Sequence, residues 1–141
     1  YTQFDWTVKV DPDAVIVPDR LRVHLKPHTG GKSYIVNCDK PTMTPMMFGS
    51  LEALSKGAVQ AYFAGAARCH NELQWGGWGE DFFMGKCLDL LGVAKVNDFQ
   101  LISDGVCKQV NCFDATAAAF HPFKSVGAWL ECFSHTQASK R

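Results

Sequence analysis

The sequence predicts an α/β fold built around one hydrophobic core. Apolar runs of strand length are interspersed along the chain with segments whose apolar residues recur at helical spacing. Of the 141 residues, 47% are hydrophobic, which is enough for a single buried core. No repeat, low-complexity tract or internal linker divides the pattern. We therefore expect residues 1–133 to belong to one domain and residues 134–141 to form a frayed tail.

The first third of the chain predicts strands on both sides of one helix. Residues 5–10 alternate well enough for a strand, and a second short apolar run follows at residues 14–17. Pro18 suits the first turn of a helix because its φ is already fixed near the helical value, and this helix carries Leu21 and Leu25. The segments that follow are predicted to be a loop at 26–33 and a strand at 34–38.

Three further helices are predicted in the rest of the chain. Ser55 caps the first of them, and Ser125 caps the last. The middle helix runs from Glu80 to Leu91, follows a glycine–aromatic loop at 74–81, and is ended by Gly92. The apolar face of the first of these helices is expected to hold Ala58, Val59, Tyr62, Phe63 and Ala66. The last helix is expected to hold Val126, Trp129, Leu130 and Phe133.

Composition limits the classes of partner. The chain has 14 basic and 14 acidic residues, so it carries no net basic charge that would attract nucleic acid or an anionic membrane surface. The longest aliphatic run, residues 14–17, is far too short to span a membrane, and no signal peptide is recognisable. Because the chain opens on Tyr1 and enters a strand within a few residues, we expect it to be a piece of a longer protein.

The six cysteines favour disulfides and an oxidising compartment, because an even number in a small domain is typical of a disulfide framework. The sequence does not decide among the 15 possible pairings. Buried free thiols and a zinc site are the alternatives. The spacing of Cys107, Cys112 and His121 matches none of the familiar short zinc-binding pairs.

Asp11-Pro12-Asp13 is the first candidate for chemistry. Pro12 biases Asp11 towards an extended conformation, and residues i and i+2 of an extended segment project to the same side. Two carboxylates at so short a distance need a cation, and their oxygens suit Mg²⁺ or Mn²⁺. The alternatives are an ordinary turn and a phosphatase-like motif in which Asp11 is the nucleophile and Lys86 or Lys124 binds the phosphate.

The second candidate is the acidic pair Glu80–Asp81 in a first helical turn, which either stabilises the helix dipole or supplies a general base. The neighbouring Trp75 and Trp78 could partly bury that base or pack on a sugar ring. The third candidate is His121, which is either a core histidine or a third ligand for the metal.

Four separated motifs together resemble the fringe-like inverting glycosyltransferases, with the core-1 β1,3-galactosyltransferases as the nearest comparison. The resemblance covers about residues 5–133. The motifs are, in order, Trp6-x-x-Lys9-x-Asp11-x-Asp13, Ser55-Lys56-x-Ala58, Glu80-Asp81-x-x-x-Gly85-x-Cys87 with Gly92-Val93, and Cys112-x-Asp114-x-x-Ala117-x-x-Phe120-His121.

The resemblance implies a GT-A fold, a nucleotide-diphosphate sugar donor such as a UDP-sugar, and Mn²⁺ or Mg²⁺. It also implies a glycan or glycoprotein acceptor and residence in the Golgi lumen, with any membrane anchor outside this chain. By the same resemblance, the metal ligands are Asp11, Asp13 and His121, the catalytic base is Asp81, and Glu80 is its neighbour. The substrate-binding residues are expected to be Lys9, Trp75, Trp78 and Gly79.

The sequence departs from the family pattern in three places. Pro12 stands where the family usually has another Asp, and residues 46–50 replace a glycine-rich stretch. The nucleotide-binding first half of the family has no counterpart in these residues. We therefore expect the carboxy-terminal portion of a GT-A-like mixed sheet, incomplete at its amino-terminal side. A non-catalytic carbohydrate-binding or structural module is the alternative function.

Overall fold

Two mixed β-sheets and four α-helices make up the part of the chain that the computed structural model describes, residues 1–40 and 44–138. The α/β class predicted from the sequence is confirmed. The strands are β1 (Trp6–Val10), β2 (Val15–Ile16), β3 (Ser33–Val36), β4 (Leu51–Ser55), β5 (Ala94–Asn97), β6 (Ile102–Asp104) and β7 (Ala119–His121). The helices are α1 (Pro18–Leu25), α2 (Lys56–Glu72), α3 (Glu80–Leu90) and α4 (Val126–Ala138).

The larger sheet has the order β1-β4-β3-β5. β1 and β4 are antiparallel and place Lys9 opposite Glu52, whereas β3 and β5 are parallel. β4 was missed in the sequence because Glu52, the acid at its second position, is buried together with Leu51 and Ala53. A fully buried strand has no polar–apolar alternation to reveal it.

The smaller sheet has the order β2-β7-β6 and carries the end of β7 towards the end of β1. β2 pairs antiparallel with β7, and β7 pairs in parallel with β6, which places Asp104 opposite His121. Along the chain, the turn between β1 and β2 is the first connection from the larger sheet to the smaller one. This turn contains Asp11 and Asp13, so the sheet arrangement brings the acidic motif towards His121.

Three clusters of buried side chains hold the sheets and helices together. The first joins α1, the larger sheet and the smaller sheet, and the second lies where β3 packs against α2 and α3. The third joins the smaller sheet to α4. Their main buried members are Leu21, Leu25, Ile35, Leu51 and Leu101 in the first, Tyr34, Met47, Ala58 and Leu88 in the second, and Val15, Val17, Phe120 and Cys132 in the third.

All six cysteines form disulfides, namely Cys38–Cys107, Cys69–Cys87 and Cys112–Cys132. The first joins the two sheets, the second joins α2 to α3, and the third ties the loop before β7 to α4. Three disulfides are compatible with an extracellular or secretory-pathway protein. Among the helices of residues 1–40 and 44–138, none is long and apolar enough to cross a membrane.

The predicted helix signals coincide with the observed ends. The Ser55 hydroxyl accepts a hydrogen bond from the Ala58 N–H at 3.2 Å, as expected of an N-cap. Gly92 has φ +69°, and the N–H of Val93 returns to the carbonyl of Leu88 at 2.9 Å, which is the closure typical of a glycine-terminated helix.

Several predictions about individual segments were wrong. The expected loop at 26–33 contains a 3-10 helix (Lys26–His28) and the first residue of β3, and β3 itself ends at Val36 instead of Cys38. Phe63, placed on the apolar face of α2, is 65% exposed. It stacks on Tyr1 at the surface, with 5.3 Å between ring centroids, instead of joining the core.

The carboxy-terminal helix also differs from the prediction. Residues 134–138, expected to be frayed, continue α4, and residues 139–141 lie outside the described part. Thr136 is fully buried, and its carbonyl accepts a hydrogen bond from the Arg20 guanidinium at 3.2 Å, so contacts distant in sequence hold this turn. Val126 and Leu130 were expected on the buried face but are 76% and 54% exposed.

Candidate metal and catalytic site

The structure brings Asp11, Asp13 and His121 together although more than a hundred residues separate the first from the last. One oxygen from each carboxylate and one ring nitrogen lie within 4.8 Å of one another. His121 Nε2 lies 3.3 Å from Asp13 Oδ1. All three side chains are half-buried, so they remain open to a ligand from solvent.

Backbone hydrogen bonds hold the two aspartates in this position. The Ala14 N–H donates to the Asp11 carbonyl at 3.0 Å, which closes the turn around Pro12. The Phe123 N–H donates to the Asp13 carbonyl at 2.9 Å, which ties the same turn to the segment after His121. Two hydrogen bonds between backbone groups thus determine how the acids face the imidazole.

Asp104, which was not predicted, orients the imidazole of His121. Its side chain is fully buried, and Oδ2 lies 2.8 Å from His121 Nδ1. The other oxygen accepts a hydrogen bond from the Val106 N–H at 2.9 Å. A carboxylate here accepts a hydrogen bond from Nδ1, so the ring is held with Nε2 as the nitrogen that faces Asp13. The only signal in the sequence was an acid at the end of an apolar run, Leu101-Ile102-Ser103-Asp104.

Asp13 is paired with a second basic group on its other side. The ammonium group of Lys124 contacts Asp13 Oδ2, while Oδ1 faces the imidazole. The hydrogen bond from Lys124 holds the pKa of the Asp13 carboxyl below its usual value. Asp13 is therefore ionised at neutral pH, as a metal-binding carboxylate must be.

Lys9 connects Asp11 to the amino-terminal end of α3. Its Nζ lies 3.1 Å from Asp11 Oδ1, 3.0 Å from Glu52 Oε1 and 3.3 Å from Glu80 Oε2. It also donates to the Gly49 carbonyl at 3.1 Å. Burial opposes the charged ammonium, but the bonds to the acids outweigh it and raise the pKa of Lys9. Lys9, predicted to bind substrate, lies among oxygen atoms of the protein itself.

Glu52 is a second acid that the sequence did not single out. It is 3% exposed, and burial raises its pKa to about 7, with Lys9 opposing and the nearby Glu80 adding to the shift. Its only charge of opposite sign among the described residues is Lys9. Glu52 therefore changes its charge near neutral pH inside the sheet.

We expect Glu52→Gln to become more stable relative to the wild type as pH rises from 5 to 8. The carboxyl remains protonated in the folded protein up to about pH 7, whereas in the unfolded chain it ionises near the ordinary glutamate pKa of 4.5. The folded state thus binds more protons than the unfolded state in this window. As pH rises from 5 to 8, this group therefore lowers the wild-type free energy of unfolding by about 2–3 kcal/mol. Urea unfolding at both pH values measures the difference.

Glu72→Gln is the matched control for this measurement. Glu72 is exposed, and Arg68 lowers its pKa, so its charge is constant between pH 5 and 8 and the difference from wild type should not change with pH. An equally flat difference for Glu52→Gln would show that the buried carboxyl does not titrate in this range.

Asp81, expected to be the base, joins α3 to the segment before β4. Its Oδ2 accepts a hydrogen bond from the Gly49 N–H at 2.9 Å, and its Oδ1 accepts one from the Phe82 N–H at 2.8 Å. A Cβ at position 49 would lie 3.1 Å from Asp81 Oδ2, so glycine leaves room for this approach. Glu80, by contrast, is exposed and extends towards Lys9.

The glycine–aromatic loop lies directly before α3. Trp75 is 46% exposed and Trp78 is 36% exposed, and Trp78 packs edge-on against Phe82 with 5.0 Å between ring centroids. Gly79, predicted to contact substrate, occupies the N-cap position of α3. Two exposed indole rings therefore lie at the same end of α3 as Glu80 and Asp81, where a sugar ring could pack on them.

Comparison of the sequence with models of known protein families and with curated proteins finds no match. The functional interpretation therefore rests on the geometry of the described residues and on the motifs of the sequence.

Proposed function

We propose that this chain is the carboxy-terminal part of a metal-dependent inverting glycosyltransferase with a GT-A-like fold. Its reaction would transfer a hexose from a nucleotide-diphosphate donor to a hydroxyl group of a glycan or glycoprotein in the Golgi lumen. The observation that carries this proposal is the convergence of Asp11, Asp13 and His121 within 4.8 Å. The family motifs and the three disulfides support it.

The side chains fit a divalent cation by their chemistry. Two carboxylates and one imidazole are a ligand set for Mn²⁺, and for Mg²⁺ with water completing the shell. The buried Asp104 behind His121 forms the carboxylate–histidine arrangement that fixes the ligating nitrogen in metal sites. A bound divalent ion would neutralise the negative charge of a departing nucleotide diphosphate.

The other residues of the site would act on the acceptor. Asp81 would take the proton from the acceptor hydroxyl, because two backbone N–H groups fix the orientation of its carboxylate and it lies at the same end of α3 as the exposed Trp75 and Trp78. Trp75 and Trp78 would pack on the sugar rings. Lys9 would act as a positioning residue, since it holds Asp11 and Glu80 in one network.

A titration with Mn²⁺ tests the proposal. We expect the wild-type chain to bind one Mn²⁺, measured by calorimetry and by the loss of the free-ion electron paramagnetic resonance signal. Asp13→Asn should abolish this binding because it removes an anionic ligand. Asp104→Asn should weaken it by about 10–100-fold, because the imidazole loses the group that fixes its tautomer and orientation.

Asp39→Asn is the control for charge alone, since Asp39 is an exposed aspartate outside the site. It should bind Mn²⁺ like the wild type. No binding by the wild type, or equal binding by Asp13→Asn and Asp39→Asn, would refute the assignment of this cluster to a metal and with it the proposed function.

A further inference from the structure

Lys124 occupies one face of Asp13, the same carboxylate that faces the imidazole of His121. Its ammonium group contacts Asp13 Oδ2, and its side chain is 78% exposed. Within residues 1–40 and 44–138 the structure shows no other charged or hydrogen-bonding partner for this ammonium group. Among the described residues, Asp13 is thus the only group that holds this otherwise solvent-exposed cation in the site.

The second lysine of the site, Lys9, is held differently. It contacts Asp11, but it also contacts Glu52 and Glu80. If a divalent ion binds the two aspartates, Lys9 retains two other carboxylates. Lys124 retains none, and the ion repels it from Asp13. Binding of a cation therefore releases one lysine of the site and leaves the other in place.

An open cavity of about 620 Å³ lies next to the contact between Asp13 and Lys124. Asp13 and Lys124 line it, and the rings of Phe123 and Trp129 form an apolar wall. The indole N–H of Trp129 donates to the Ala14 carbonyl at 3.0 Å, so this wall is fixed to the turn that carries the acids. The cavity has room for a phosphate beside a released Lys124.

We propose that Lys124 is a phosphate-binding residue that a divalent cation displaces from Asp13. Without a bound cation, the ammonium group of Lys124 would pair with Asp13. In the metal-bound protein it turns into the cavity and donates hydrogen bonds to an oxygen of a diphosphate whose other oxygens face the ion. This role rests on the proposed function and extends it, because Lys124, which is not a metal ligand, would bind the diphosphate group of the donor.

Two titrations of the whole chain test this role. With Mn²⁺ alone, Lys124→Gln should bind the ion up to about fivefold more tightly than wild type, because an exposed ion pair no longer competes for Asp13. With saturating Mn²⁺, the same variant should bind inorganic pyrophosphate about 10–100-fold more weakly, because a charge-assisted hydrogen bond is lost. Inorganic phosphate, titrated in parallel, should bind wild type more weakly than pyrophosphate, since it cannot reach both the ion and Lys124.

Lys26→Gln is the matched control, because it removes the same charge from an exposed lysine outside the site. Affinities of Lys124→Gln for Mn²⁺ and for pyrophosphate within twofold of those of Lys26→Gln would overturn the role of Lys124 while leaving the metal site intact. Failure of the wild type to bind Mn²⁺ would instead remove the proposed function, and the role of Lys124 with it. The two failures are therefore distinguishable.

Discussion

If the proposed function holds, Asp81→Asn is expected to lower the rate of sugar transfer by about 10²–10⁴-fold. The carboxylate would accept the proton of the acceptor hydroxyl as that hydroxyl attacks the sugar, and an amide cannot do so at neutral pH. The measurement is the turnover of a nucleotide sugar with a glycan acceptor at saturating Mn²⁺. Mn²⁺ affinity, measured separately, should change by less than a factor of two.

The geometry around Asp81 makes this substitution informative. An asparagine side chain retains one carbonyl oxygen, which can still accept the hydrogen bond from the Gly49 N–H, and only the local bond from the Phe82 N–H of the next residue is lost. The connection between that segment and α3 is therefore preserved, and a loss of activity reports chemistry instead of unfolding. Glu80→Gln is the neighbouring control, because Glu80 is an exposed acid of the same helical turn whose side chain extends towards Lys9 and Glu52. It should cost less activity, and near-normal turnover of Asp81→Asn would exclude Asp81 as the base.

Removal of the Cys38–Cys107 disulfide is expected to lower the free energy of unfolding by about 4 kcal/mol. The two cysteines are 69 residues apart, and a cross-link over a chain of this length removes more entropy from the unfolded state than a shorter one does. The bond also joins the segment after β3 to the segment after β6, so it connects the larger sheet to the smaller one. The double substitution Cys38→Ser with Cys107→Ser, followed by urea unfolding, measures the effect.

The Cys69–Cys87 pair provides the comparison. It joins α2 to α3 over only 18 residues, so its double serine variant should lose about 3 kcal/mol by the same reasoning. The order of the two effects is the sharper test. If the Cys38–Cys107 variant is the more stable of the two, the entropy of loop closure does not decide how these bonds act in this protein.

Elements with local signals could be predicted from the sequence. The Ser55 cap, the Gly92 terminator and Pro18 each act within one helical turn, and all three lie where the structure starts or ends a helix. β1 was predicted because apolar and polar residues alternate in its sequence, and in the structure their burial alternates in the same way at the edge of the larger sheet. The short buried strands β4, β6 and β7 lack such alternation, and their pairing partners, not their own residues, define them.

In the candidate site, too, residues with local signals could be predicted and residues defined by distant partners could not. Asp11 and Asp13 are two residues apart, so their joint projection follows from an extended backbone, and the acids at the start of α3 follow from helix periodicity. The buried acids Asp104 and Glu52 could not be assigned, because what an acid does depends on the group placed opposite it across a sheet. That group is His121 for the first and Lys9 for the second.

The sequence alone determined the helices, the first strand and the residue types that could bind a cation, because each of these depends on neighbours within a few positions of the chain. Only the tertiary structure decided that His121 faces Asp13, that Lys9 contacts three acids of the protein, and that Lys124 lies at the cavity. The physical reason is the range of the interactions. Charges, hydrogen bonds and disulfides that set the chemistry of this site act across a few ångströms of space between residues that are as far as 111 positions apart in the chain.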